Sequence, residues 1–187
     1  MSDGFRAVDE RCIHQGHVIS LLVGTFAGPD GRIFEREIVR HPGAVSVVPL
    51  HDDGTVTLVR QFRAALGTEI LEIPAGKRDI ADEPPELTAA RELEEEVGLV
   101  AGRLDRLARF YNSPGFCDED AVVYLARDLE PCELSAQGVE ETHMTIERVP
   151  FADVGAMIAD GRLRDAKSII GLLLARDEVA REVAAGR

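Results

Sequence analysis

The sequence has little of what marks membrane or secreted proteins. Its longest apolar candidate, residues 169–175, is far too short to cross a bilayer, because a membrane-spanning helix needs about 20 apolar residues. The first residues, MSDGFRAVDERC, contain no apolar segment of the kind found in signal peptides. The 3 cysteines are widely spaced and form neither a metal-binding motif nor a disulfide framework. We therefore expect a cytoplasmic protein that does not enter a membrane.

Positive charge is also scarce. The chain carries 21 Lys and Arg against 34 Asp and Glu, which gives a formal net charge of -13. A chain this acidic is not expected to bind nucleic acid nonspecifically, because the phosphates would repel it. To handle a phosphate-bearing molecule, it would need either a bound cation or a local basic patch.

The hydrophobic pattern predicts groups of strands and helices in one domain, or in one domain with an added arm. The predicted strands cover residues 17–27, 32–40, 44–50, 55–63, 69–76, 105–111, 120–126 and 142–149. The predicted helices cover residues 85–97, 150–160 and 166–184. The first helix starts at two prolines and ends before Gly98, as helices commonly do. This order predicts an α/β (α+β) sandwich rather than a regular βαβ repeat.

The first predicted helix contains the acidic segment ARELEEEVGL. At 100° per residue, Glu92, Glu95 and Glu96 fall on one face, and Leu87, Leu93 and Val97 fall on the opposite, core-facing side. Three carboxylates on one face repel each other unless they are well solvated or hold a cation. Oxygen ligands of this kind favour Mg²⁺ or Mn²⁺. The helix alone leaves both readings open, and a solvated charge run is the more common one.

The residues around this helix resemble the Nudix signature G-x5-E-x7-R-E-U-x-E-E-x-G-U, in which U is aliphatic. The match from Glu83 onward is complete. Six residues separate Gly76 from Glu83 where the pattern has five, and the extra residue falls in the loop KRDIAD. Either Asp82 or Glu83 could fill the outer acidic position, and Glu83 is favoured because it keeps the spacing to Arg91. The matching positions are Gly76, Glu83, Arg91, Glu92, Leu93, Glu95, Glu96, Gly98 and Leu99.

Further segments resemble the ADP-ribose pyrophosphatase branch of this family: REIVRHPGAVSVVPL, VRQFR, LEIPAG, SPGFCDE and DAKSIIGLLLA. The resemblance implies a Nudix α/β/α sandwich with a mixed sheet over residues 44–187. It also implies an antiparallel strand arm over residues 1–43 that joins two chains in a homodimer.

The activity implied by the resemblance is metal-dependent hydrolysis of the diphosphate bond of ADP-ribose to AMP and ribose 5-phosphate, with Mg²⁺ or Mn²⁺ as cofactor. Another nucleoside diphosphate sugar is an alternative substrate. A non-catalytic sensor that binds ADP-ribose is a second alternative. The sensor is disfavoured because such domains usually lose signature glutamates, and because the sequence carries no helix-turn-helix segment.

The resemblance also assigns roles at the metal site. Glu92, Glu96 and the backbone carbonyl of Ala75 are the implied metal ligands. Glu95 is a further ligand or a base, or a carboxylate that only tunes its neighbours. Arg91 is expected to orient Glu92.

In this branch the general base comes from a loop before a late strand, here within GVEETHMTI. Glu140 and Glu141 are the candidates, and Glu141 is preferred because it lies nearer the strand. His143 is a rival on chemical grounds.

Substrate-binding candidates follow from the same resemblance. Arg36 and Arg63 are expected to reach the diphosphate or the adenine, with Arg40 and Arg60 as alternatives. Glu72 in LEIPAG contacts adenine or metal, or only ends its strand. The loop of residues 113–119 is expected to cover the terminal ribose. Its candidate residues are Ser113, Gly115, Phe116 and Glu119. The last helix is read as a packing helix without a chemical role.

Overall fold

A computed structural model describes residues 4–135 and 142–186 of the chain. These residues form two compact units, one of residues 4–43 and 111–120, the other of residues 44–110, 121–135 and 142–186. The strands are β1 (Arg6–Gln15), β2 (Ser20–Ala27), β3 (Ile33–Arg40), β4 (Ala44–Pro49), β5 (Thr55–Arg63), β6 (Thr68–Glu72), β7 (Ala75–Lys77), β8 (Leu99–Tyr111), β9 (Asp120–Pro131) and β10 (Thr145–Pro150). The helices are α1 (Pro85–Val97), α2 (Val154–Ala159) and α3 (Ala166–Ala184), and a 3₁₀ turn (Phe151–Asp153) precedes α2. No helix in the described part of the chain is long and apolar enough to cross a membrane.

The first unit contains an antiparallel sheet in the order β1-β2-β3. The predicted turn GPDGR joins β2 to β3, and Gly31 adopts a φ of 78° there, a value that favours glycine. The patterns over residues 17–27 and 32–40 therefore predicted two real strands. They missed β1, because its sequence RAVDERCIHQ is mostly polar and every residue of it is exposed. A strand with no buried face lacks the alternation that reveals strands in a sequence.

The second unit has a mixed sheet in the order β7-β4-β9-β8, in which β4 runs parallel to β9 and antiparallel to β7. All of β4 is buried, because each face of the sheet packs against a helix. Val45 and Val47 belong to a cluster that includes Leu93 of α1. Val48 belongs to the cluster that includes Leu172 of α3. The alternation of side chains along one strand thus produces the helix–sheet–helix layering that was predicted.

A single strand was predicted over residues 69–76, but the chain divides there. β6 pairs with β5 in a second sheet, of order β10-β5-β6, whereas β7 pairs with β4. Ile73 and Pro74 make the crossing. Proline has no N–H for a strand ladder, and the Pro74 carbonyl instead accepts a hydrogen bond from Val47 N at 2.9 Å. The division places the backbone of Ala75 and Gly76 in a different sheet from Glu72.

Helix α1 has the predicted limits. Pro85 occupies its first turn, and Gly98 ends it with φ 62° and ψ 42°. Its buried face differs from the prediction, because Leu87 is 56% exposed, whereas Glu92 and Glu96 are buried together with Leu93 and Val97. The acidic face is therefore not simply a solvated charge run.

Candidate active site

Two buried carboxylates of α1 lie against the backbone of β7. Glu92 is 9% exposed and Glu96 is 4% exposed. The Ala75 N–H donates a hydrogen bond to Glu96 Oε2 at 2.9 Å. A Cβ added to Gly76 would lie 1.9 Å from the carboxyl carbon of Glu92, so only a glycine leaves room for this carboxylate. The structure thus brings Ala75, Gly76, Glu92 and Glu96 together.

Arg91 lies among three glutamates. Its Nη1 is 3.0 Å from both Glu92 Oε1 and Glu95 Oε2, and its Nη2 is 3.7 Å from Glu83 Oε2. Burial lowers the pKa of Arg91, but the attraction of Glu92 and Glu95 outweighs burial and leaves the pKa raised. Arg91 therefore stays cationic and restrains the carboxylates around it. Glu83 also accepts a hydrogen bond from the buried Thr88 hydroxyl at 2.7 Å.

The donor set at β7 fits a hard divalent cation. It contains the carboxylate oxygens of Glu92 and Glu96, which are ligands of the kind that Mg²⁺ and Mn²⁺ prefer. Two buried carboxylates this close to one segment of backbone are costly unless positive charge compensates them. Within residues 4–135 and 142–186, however, no three acidic, histidine or cysteine side chains converge as a ready-made metal site. Glu95 accepts a hydrogen bond from Arg91 Nη1 at 3.0 Å, the same nitrogen that pairs with Glu92.

A second set of charged side chains, which we call the Glu72 cluster, consists of Arg63, Glu72, Asp165, Lys167 and Ser168. Glu72 is only 1% exposed. Arg63 donates from Nε and Nη2 to its two oxygens, both at 2.6 Å, and Lys167 Nζ also contacts Glu72 Oε2. Lys167 Nζ lies 2.9 Å from Asp165 Oδ2 as well, and Asp165 accepts from the backbone N–H and hydroxyl of Ser168. Glu72 is therefore the buried carboxylate that joins Arg63 and Lys167 in one ion-pair network.

The Glu72 cluster adjoins the carboxylates of α1. The hydrogen bonds that Arg63 donates to Glu72 raise the pKa of Arg63, and the attraction of Glu96 contributes to the same shift. Sequence reasoning included Arg63 and Glu72 but missed Lys167, Asp165 and Ser168. One signal was available: an aspartate just before a predicted helix is typical of a helix N-cap.

Most of the remaining substrate-binding candidates lie in the first unit. Arg36 stacks its guanidinium 4.8 Å from the centre of the Phe34 ring, which itself stacks on Phe26. These three side chains, with Gly115 and Phe116, line a pocket of about 490 Å³.

Of the other predicted residues of this unit, Arg40 also lines the pocket, whereas Ser113 and Glu119 do not. Ser113 and Glu119 are half-buried. The Ser113 carbonyl accepts hydrogen bonds from Phe116 N and Cys117 N at 3.1 and 2.9 Å, which closes the loop into a turn. Arg40 forms ion pairs with Glu10 and Asp118.

Four further candidates belong to the second unit or fall outside the described residues. Arg60 pairs with Glu147 at 2.7 Å at the surface. His143 is exposed, and its Nδ1 lies 3.2 Å from the Thr142 hydroxyl. Glu140 and Glu141, the predicted general bases, lie outside the described residues.

Comparison with known proteins agrees with this architecture. The family model of the NUDIX domain matches residues 40–171. An ADP-ribose pyrophosphatase of Bacillus subtilis (strain 168) is 40% identical over 163 residues, which cover 87% of this chain and 88% of that protein. An ADP-ribose pyrophosphatase of Mycobacterium tuberculosis is 38% identical over 169 residues, covering 90% and 82% respectively. A solved structure described as an ADP compounds hydrolase shares the fold, with a TM-score of 0.84, 21% identity and 96% of both chains covered.

Proposed function

Since this chain belongs to the Nudix family of hydrolases, we propose that it hydrolyses the diphosphate bond of ADP-ribose to AMP and ribose 5-phosphate. The observation that carries the substrate is the 40% identity to an ADP-ribose pyrophosphatase over 87% of this chain. The buried glutamates at β7 support the reaction class, because an acidic protein needs a cation at the point where it meets a diphosphate.

We assign the binding of a divalent ion, Mg²⁺ or Mn²⁺, to Glu92, Glu96 and the backbone carbonyl of Ala75. When bound, such an ion supplies charge neutralisation of the diphosphate and activation of water. Arg91 keeps Glu92 and Glu95 in place through its Nη1 contacts at 3.0 Å. Glu95 joins the ligands only by leaving Arg91, so its role in the resting enzyme is to hold that arginine.

Within the second unit, Arg63 is the residue that we propose contacts the substrate diphosphate. It uses Nε and Nη2 for Glu72, and within the described part of the chain its Nη1 forms no hydrogen bond. A guanidinium with one edge fixed and another available is well suited to a phosphate oxygen. We propose that Glu72 holds Arg63 rather than contacting adenine, because both of its carboxylate oxygens accept from Arg63.

The pocket of the first unit is the proposed site for a nucleoside or ribose group of the substrate. Its Phe34 ring and Arg36 guanidinium offer flat surfaces on which a base can stack. Gly115 has open space at the position of a Cβ, so a ligand can approach its backbone closely. Arg40 is the weaker candidate of the two arginines, because Glu10 and Asp118 already neutralise it.

A product assay tests the proposed activity. Purified protein is incubated with ADP-ribose or with other nucleoside diphosphate sugars, in Mg²⁺, in Mn²⁺ or with EDTA, and AMP release is followed by chromatography. Metal-dependent AMP release with ADP-ribose as the best substrate supports the proposal. Faster cleavage of another sugar nucleotide would show that ADP-ribose is not the preferred substrate. Saturable ADP-ribose binding without turnover would show that the protein is a sensor and not an enzyme.

Glutamine substitutions on one helix test the metal ligands. Glu96→Gln should abolish metal-dependent turnover with the fold intact, because an amide cannot replace a charged ligand. Glu94→Gln is the matched control, since Glu94 lies on the same helix and is exposed. Wild-type rates in Glu96→Gln would contradict the metal assignment.

The proposed general base is Glu141. Glu141→Gln should lower kcat strongly while metal binding survives, because the side chain acts on the proton and not on the ion. If Glu140→Gln has this effect instead, Glu140 is the base.

A further inference from the structure

Lys167 is a nearly buried cation, and none of the roles proposed for the reaction involves it. It stands in the first turn of α3, and its side chain is 14% exposed. Its Nζ contacts Glu72 Oε2 and lies 2.9 Å from Asp165 Oδ2, so it sits between two carboxylates. A lysine that only stabilised the helix would not need to reach the end of β6.

The charges of the Glu72 cluster balance only when Lys167 is present. Arg63 and Lys167 supply two positive charges, and Glu72 and Asp165 supply two negative ones. Glu72 is 1% exposed, so water cannot screen it, and losing one partner of such a pair is expensive. Without the Lys167 ammonium, Glu72 and Asp165 would repel each other across the vacated position.

The cluster also determines how Arg63 is oriented. A carboxylate that accepts from both Nε and Nη2 holds a guanidinium in one plane, as two parallel bonds do. The Arg63 side chain is 38% exposed although Glu72 is not, and Glu72 occupies Nε and Nη2 but not Nη1. Glu96 of α1 is close enough to contribute to the raised pKa of Arg63, so the guanidinium lies within electrostatic range of that carboxylate.

We propose that Lys167 is a positioning residue for substrate binding: it fixes Glu72, and Glu72 holds the Arg63 guanidinium so that Nη1 meets the substrate diphosphate. The inference rests on the proposed diphosphate hydrolysis and adds a residue of α3 to it. Lys167 acts through Glu72 and Arg63 and does not touch the substrate.

Two substitutions of Lys167 and one control test the proposal. Lys167→Met removes the ammonium and keeps a chain of similar length, whereas Lys167→Arg keeps the charge. Arg127→Met is the matched control, because Arg127 is 17% exposed and pairs with Glu182 near the other end of α3. The measurements are KM and kcat for ADP-ribose, the Kd of the non-hydrolysable α,β-methylene ADP-ribose by calorimetry, and Tm.

Lys167→Met should raise both KM and Kd by roughly tenfold, about 1.4 kcal/mol, while kcat changes by less than about threefold. Lys167→Arg should bring Kd back to within about threefold of wild type. Arg127→Met should lower Tm and leave Kd unchanged. An unchanged Kd in Lys167→Met, or an equal rise in Arg127→Met, would overturn the positioning role.

A spectroscopic measurement keeps the inference testable if the proposed function fails. If the wild-type protein neither cleaves ADP-ribose nor binds the analogue, the substrate proposal is wrong. The ¹⁵N Nε–H signal of Arg63, assigned by its loss in Arg63→Lys, then reports the network directly. It should shift or broaden in Lys167→Met and not in Arg127→Met; an unchanged signal would show that Lys167 does not hold Arg63.

Discussion

Gly76 shows how one missing side chain can shape a site. Its hydrogen lies where a Cβ would meet the carboxyl carbon of Glu92 at 1.9 Å and both of its oxygens at 2.2 and 2.3 Å. The atoms in the way are the far end of a flexible side chain. A larger residue at this position would therefore displace the Glu92 carboxylate rather than the backbone.

We predict that Gly76→Ala leaves the fold intact and weakens the binding of Mg²⁺. The displaced Glu92 carboxylate should raise the Mg²⁺ concentration needed for half-maximal activity by roughly 10- to 100-fold. Activity as a function of Mg²⁺, with Tm measured alongside, checks this expectation. A large fall in Tm with normal Mg²⁺ dependence would mean that the glycine serves folding instead.

Helix α3 is anchored at its N-terminus by a cap that is also part of the Glu72 cluster. Asp165 Oδ2 accepts the Ser168 N–H at 3.0 Å, and the Ser168 hydroxyl accepts from Ile73 N at 2.9 Å. Burial raises the pKa of Asp165, but Lys167 and the Ser168 hydrogen bonds outweigh it, and the net pKa is lowered. The cap therefore links the helix to the chain crossing at Ile73.

A lowered pKa in the folded state makes this stabilisation depend on pH. The contribution of Asp165 should be complete above its unfolded pKa of about 4 and should be lost as pH falls through the lower folded value. Asp165→Asn should lower the free energy of unfolding by roughly 1–3 kcal/mol at pH 7, and the difference should shrink below about pH 4. Urea unfolding across pH measures it. Asp177→Asn, exposed on the same helix, should change stability by less than about 0.5 kcal/mol at every pH.

The middle of α3 packs on the mixed sheet through a glycine. A Cβ on Gly171 would lie 2.8 Å from Val123 Cγ2 and 3.1 Å from side-chain atoms of both Ile73 and Val48. Val48 and Val123 belong to the core cluster beneath the helix, so they have little room to move.

Gly171→Ala should therefore destabilise the protein although alanine favours helices. Crowding in a packed core costs about 1–3 kcal/mol, which exceeds the gain of about 1 kcal/mol in helix propensity. Gly155→Ala in α2 has nothing within 4 Å of its Cβ and should raise stability. Urea unfolding of both variants separates the two effects. Equal stabilisation of both would show that the sheet yields to the extra methyl group.

At the scale of the whole molecule, the first unit exposes more apolar surface than a free arm should. All of β1 is exposed, including Val8 at 49% and Ile13 at 47%. An exposed strand with apolar side chains is prone to pair with another chain. We therefore retain the homodimer as a proposal, with this sheet as its interface.

The double substitution Val8→Asp and Ile13→Asp should shift the protein from dimer to monomer, because it places charges in the proposed interface. Light scattering after gel filtration would show the mass fall from twice 20.4 kDa to that value. Val183→Asp is the control, since Val183 is 72% exposed at the end of α3. A wild-type protein that is already monomeric at micromolar concentration would contradict the proposal.

The sequence by itself determined the family, the fold class and the limits of α1. These rest on local signals: two prolines before a helix, a glycine after it, and a nine-position pattern of charges and aliphatic residues. Both ends of α3, at residues 166 and 184, were also predicted correctly. Such signals are readable because the atoms that make them lie within a few residues of one another.

Tertiary structure decided which charges meet. Glu72 and Lys167 are 95 residues apart in the chain, and no local pattern joins a glutamate at the end of a strand to a lysine in a distant helix. The burial of Glu92 and Glu96 likewise needed the β7 backbone beside α1, and β1 needed β2 as its partner. Hydrogen bonds within a turn of chain can be read from sequence, whereas ion pairs between distant elements exist only after packing has brought those elements together.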